Sequence, residues 1–190
     1  AGENTFFRGL KKLMTGRYLV WQGGKLSITR YWTPAFHPDE SRTLEDWADE
    51  IHTTLKEIMP EVKTADETAE SFLSGGVGSS YVLAMSDVEM TDSCGYEEER
   101  FDESGLARQT AEILGRKNSR CLITPEEYFG IVPYVMYNME QPLGDASAIA
   151  FAIACRATAE HTKICYSGEG ADEFFGGYNM YRNAERYGEN

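Results

Sequence analysis

Residues 69–80 read AESFLSGGVGSS, and this stretch decides the fold. Ala69 to Leu73 suits a short strand, the glycines that follow suit a tight turn, and a helix is expected from about Ser79. Strand, glycine turn and helix in that order make a place where an anion can bind. Backbone N–H groups turn inward there, next to the positive end of the helix. The hydroxyls of Ser74, Ser79 and Ser80 can add hydrogen bonds to phosphate oxygens. The loop lacks the lysine of a Walker A motif and the G-x-G-x-x-G of a dinucleotide fingerprint. On glycine content alone it is either an anion nest or a flexible turn.

Downstream of this unit the chain keeps alternating. A weaker strand falls near 90–96. Leu106, Ala107, Thr110, Ile113 and Leu114 keep helical spacing up to Gly115, a natural residue just past a helix end. CLI at 121–123 suits a strand. Thr124-Pro125-Glu126-Glu127 reads as a helix start, with a threonine cap, proline at the first position and acids in the first turn. A further helix is predicted from about Ser147 to Glu160, and KICYS at 163–167 is the last strand. This alternation predicts an α/β fold, a parallel sheet with helices on both faces. Ligands of such sheets bind at the carboxyl ends of the strands.

Upstream, Leu44, Trp47, Ala48, Ile51, Leu55, Ile58 and Met59 predict an amphipathic helix that Pro60 should stop. Before it, RYLVW and KLSITRYW flank Gln22-Gly23-Gly24, the pattern of a β-hairpin. Charge shifts between the two parts. Residues 1–30 hold six bases and one acid, whereas residues 39–70 hold eleven acids and three bases. We therefore expect a hairpin segment over 1–33, a linker over 34–42 and an α/β domain over 43–190.

A second glycine-rich segment, Ser167-Gly168-Glu169-Gly170-Ala171-Asp172-Glu173, follows the KICYS strand. Three carboxylates within five residues repel one another. They suit a Mg²⁺ ion, which takes a few carboxylates together with substrate phosphates. A solvated acidic turn is the other reading.

The 190 residues carry a net charge of −13. Such a surface repels nucleic-acid phosphates and anionic lipid, so no nucleic-acid or membrane partner is expected. No window approaches the length of an apolar span, and no signal peptide is visible. Cys94, Cys121, Cys155 and Cys165 form no C-x-x-C pair, so they indicate neither a zinc site nor a redox dithiol and read as buried thiols of a cytoplasmic protein.

Taken in order, SGGVGSS, CGYEEERFDES, LITPEEYF, EQPLGDASAI and YSGEGADEFFGGYNMYR resemble the synthetase domain of the glutamine-dependent asparagine synthetases. FFRGLKKLMTGRYLVWQGGKLSITRYW resembles the end of that family's glutaminase domain. The resemblance implies an ATP pyrophosphatase type of fold, similar to the adenine nucleotide alpha hydrolases. It also implies ATP and Mg²⁺ as cofactors. The substrates would be aspartate, ATP and ammonia delivered from glutamine, with an aspartyl-adenylate as intermediate.

Carried over by position, Ser74, Gly75, Gly76, Ser79 and Ser80 would cradle the phosphates. Leu73, Cys94 and Gly95 would lie beside the nucleoside, and Ser167 and Gly168 near the adenylate. Glu169 would accept a proton near the attacking ammonia, and Asp172 would hold Mg²⁺ and pyrophosphate. Tyr178, Asp145 and Gln141 lie in matching segments without an assigned role.

The chain departs from the family pattern in three ways. Gly78 stands where the family has the loop aspartate, a magnesium ligand. No cysteine begins the chain, so glutaminase activity is not expected from it. The chain ends at Asn190, before the lysine that contacts the phosphates in the family. The reading is thus a segment of an asparagine-synthetase-type enzyme. The alternatives are a non-catalytic nucleotide-binding or regulatory module and a related amide-forming enzyme such as a β-lactam synthetase.

Overall fold

The computed structural model of the chain describes residues 2–62, 68–140, 142 and 144–181. Gln141 lies outside them. The hairpin forms from β1 (Arg17–Gln22) and β2 (Lys25–Arg30), paired so that Gln22 faces Lys25. Only Gly23 and Gly24 remain for the turn, and both have positive φ, as a two-residue turn between right-twisted strands requires.

The second part has α1 (Leu44–Val62), β3 (Ala69–Phe72), α2 (Val77–Met85), β4 (Met90–Tyr96) and α3 (Ser104–Ile113). It continues with β5 (Lys117–Ile123), α4 (Pro125–Asn138), α5 (Ser147–Thr158), β6 (Ile164–Tyr166) and α6 (Ala171–Phe175). Thr43 and Asp46 start α1 by bonding each other's backbone N–H, at 3.2 and 2.8 Å. Pro60 does not stop this helix, contrary to expectation: it sits in the last described turn. A proline there removes one N–H donor, and it does so close to the described end of the helix, where fewest turns depend on it.

Strands β3 to β6 form one parallel sheet in the order β5-β4-β3-β6. The chain moves outward from β3 to β4 to β5, then returns to place β6 on the other side of β3. Right-handed crossovers taken in opposite directions put their helices on opposite faces. Accordingly Leu73, Leu83, Ala107, Ala111 and Tyr166 pack with Met59 on the side of α1, α2 and α3. Ile123, Ile131, Val135, Ile149 and Ile153 pack on the side of α4 and α5. The alternation of β4 matches this: Thr91 and Ser93 are buried on the first side, whereas Cys94 and Tyr96 join the second cluster. Contrary to the expectation of buried thiols, Cys155 is exposed.

Candidate functional site

The strand order reverses between β3 and β6, and at such a reversal the loops leaving two neighbouring strands diverge and open a crevice. Here the two loops are residues 74–76, leading into α2, and residues 167–170, leading into α6. A cleft of about 1140 Å³ opens between them.

The first loop is held by its own serines. Ser74 Oγ and Ser79 Oγ lie 3.0 Å apart, the Gly76 N–H donates to Ser74 Oγ at 3.2 Å, and the Ser74 N–H donates to Ser79 Oγ at 3.2 Å. No side chain caps the N-terminus of α2. Its first N–H groups therefore offer a positive end to the cleft.

The two loops touch through glycine. A side-chain carbon on Gly168 would lie 2.5 Å from the Ser79 nitrogen, so no larger residue fits there. One on Gly78 would lie 3.2 Å from the Ala171 side chain and 3.3 Å from the Gly168 carbonyl. Backbone thus packs on backbone, bringing the second loop's carboxylates beside the first loop's donors.

Of the residues expected at the site, Leu73, Ser74, Gly76, Ser79, Cys94, Ser167, Gly168, Glu169 and Asp172 line the cleft. Gly75, Ser80 and Gly95 do not. Gly75 backs onto Leu106 and Ala107 of α3, and Ser80 Oγ is buried without a hydrogen-bond partner. Gly95 faces the α3 side. There its missing side chain makes room for Asp102, which Arg120 grips at 2.7 Å, and for Ser104. Glu173 turns to the Tyr178 hydroxyl, which donates to its carboxylate at 3.0 Å and is thereby pushed above the usual tyrosine range. Asp145 also lines the cleft. Its carboxylate accepts from the Ser147 hydroxyl at 2.7 Å and N–H at 2.9 Å, bonds that hold it below the usual carboxylate range.

The wall opposite the loops was not legible beforehand. Phe72 and Phe151 meet edge to face at 5.2 Å and, with Ala150 and Ala154 of α5, make it apolar. The available signal was parity, since Phe72 precedes a core-facing Leu73 and must point at the other face. Cys94 belongs to this wall; burial, then the neighbouring Cys121, pushes its thiol up to about 12, so it stays protonated. The cleft therefore joins a donor-rich end, an acidic edge and an apolar slot, the profile of a site for a phosphorylated aromatic ligand.

The asparagine synthase family profile matches residues 37–190. Asparagine synthetase [glutamine-hydrolyzing] 1 of Bacillus subtilis is 32% identical over 181 residues, covering 91% of this chain and 28% of that protein. Amidase chyE of Penicillium rubens is 26% identical over 204 residues, covering 95% of this chain and 30% of that protein. Among solved structures, an NH3-dependent NAD synthetase from Campylobacter jejuni aligns with a TM-score of 0.43 at 15% identity, over 69% of this chain and 60% of that one. The chain spans under a third of the length of these curated relatives.

Proposed function

Because this chain belongs to the asparagine synthase family, we propose that its cleft takes ATP and that the protein carrying it makes an amide through an acyl-adenylate. The carboxylate substrate is aspartate and the nucleophile is ammonia derived from glutamine. The observation that carries this reading is the contact of Gly168 with Ser79, which joins the two loops into one cleft.

In the reaction a carboxylate oxygen attacks the α-phosphorus and pyrophosphate leaves. The N–H groups at the start of α2 and the Ser74 and Ser79 hydroxyls receive the phosphates. The slot at Phe72, Phe151 and Cys94 takes the adenine, with the Leu73 backbone at its edge. Ammonia then attacks the acyl carbon and AMP departs. Glu169, exposed at the cleft edge, accepts the proton that the nitrogen must lose.

The donor set suits Mg²⁺, for which one or two carboxylates plus substrate phosphates are an ordinary shell. Asp172 would hold the ion, which neutralises charge on the leaving pyrophosphate. Gly78 contributes no second carboxylate from the first loop, so adenylation should be slow. That same glycine favours a second reading, a module that binds nucleotide without turnover.

Calorimetric titration with ATP, with and without Mg²⁺, tests both. The expected result is binding that depends on Mg²⁺ and that Gly168→Ala weakens by about tenfold or more, roughly 1.4 kcal/mol. Aspartate-dependent pyrophosphate release should be small and should rise in Gly78→Asp. Failure to bind ATP would overturn the proposal, and binding indifferent to Mg²⁺ would favour the module.

A further inference from the structure

Three side chains outside the loops converge on the α5 side of the sheet. Glu70 comes from the start of β3, Asp92 from β4 and His161 from just beyond α5. One ligand-capable atom from each lies within 4.8 Å of the other two. Asp92 also lines the cleft, whereas Glu70 and His161 lie outside it.

The surroundings resemble a site awaiting a cation. Oε2 of Glu70 is buried and has no hydrogen-bond partner. Two carboxylates this close repel each other unless a proton or a cation lies between them. The Thr158 hydroxyl donates to Oδ2 of Asp92 at 2.9 Å, fixing that carboxylate from behind as metal ligands are commonly fixed. Asp92, Thr158 and His161, though not Glu70, also border a cavity of about 190 Å³ whose far lining includes Arg120, with room for water beside an ion. An imidazole among the donors selects against Mg²⁺ and Ca²⁺, which prefer oxygen alone, and suits a borderline ion.

We propose that Glu70, Asp92 and His161 bind a divalent first-row transition ion, with Zn²⁺ the foremost candidate. The ion would tie β3 and β4 to the end of α5. Asp92 also lines the nucleotide cleft, but none of the three ligands comes from the glycine loops, and ion uptake is measured without nucleotide, so the two readings can fail separately.

The test uses the full chain stripped with a chelator. Zn²⁺ is titrated by calorimetry, thermal unfolding is followed with and without Zn²⁺, and Co²⁺ absorption is recorded. The proposal expects one ion per chain, a higher Tm with Zn²⁺, and a cobalt spectrum without thiolate charge transfer. His161→Gln and Glu70→Gln should each weaken uptake by about tenfold or more and abolish the Tm rise. His161 is exposed, so His161→Gln should leave the metal-free Tm unchanged, which separates loss of a ligand from loss of the fold. Absence of stoichiometric uptake, unchanged uptake in both variants, or thiolate charge transfer would each overturn it.

Discussion

At the scale of single residues, the most unusual group is Glu70. Burial is the main cause that pushes its carboxyl up to about 7, with the neighbouring Asp92 carboxylate adding to it. In the unfolded chain the same group titrates near 4.5. Between those values the folded protein holds the proton and the unfolded chain does not. The metal-free protein should therefore lose stability as pH rises from about 4.5 to about 7, and no further from this group above that. Urea midpoints across that range in the presence of a chelator measure the slope, and Glu70→Gln should flatten it. A midpoint that instead rises with pH in the parent and stays unchanged in Glu70→Gln would refute this account.

At the same scale, the motifs placed residues along the two loops but not the direction each one faces. Ser80 and Gly95 sit within matching motifs, yet one faces inward and the other faces Asp102. Motif spacing places a residue along the chain. Which way it points depends on a neighbour such as Arg120, which the motif does not contain.

Among the elements, α4 is the one whose start was most legible. Thr124 accepts from the Glu127 N–H at 3.2 Å, Glu127 reaches back to the Thr124 N–H at 3.3 Å, and Pro125 occupies the first turn. Thr124→Ala should destabilise the protein by about 1 kcal/mol, read as a lower urea midpoint with an unchanged slope. No change would mean that α4 is held by its buried face at Ile131 and Val135 alone. Strand β5 shows the opposite case. Only its end, 121–123, looked like a strand, but pairing with β4 begins at Lys117. Its first half is polar because Lys117, Ser119 and Arg120 are exposed and Asn118 meets polar partners: its side-chain amide donates to Thr91 Oγ1 at 2.9 Å, and the Ser93 hydroxyl donates to its Oδ1 at 3.1 Å. Hydropathy cannot reveal a strand whose buried face is satisfied by hydrogen bonds across the sheet.

For the whole molecule, the hairpin and the parallel sheet are unequal partners. Every residue of β2, and all of β1 except Arg17, is exposed. Trp21 is 67% exposed and Tyr31, just past β2, is 70% exposed. Their apolar surface fits the proposal that residues 1–33 belong with a different domain from 43–190, with 34–42 as the joint. Deleting residues 1–36 should then shift the Tm of the remainder by no more than about 2 °C, the response expected from a loss under 1 kcal/mol. A larger drop in a differential scan would mean that the hairpin supports the sheet.

The pairing of β3 with β6 also bears on how the chain reaches its fold. Ala69 pairs with Ile164, whereas β4 and β5 are joined by the short segment holding α3. Contacts this distant in sequence close the longest loop and form slowly. The two glycine loops belong to those two strands. The cleft can therefore be complete only once β6 has docked, and during refolding recovery of nucleotide binding should lag behind recovery of helix.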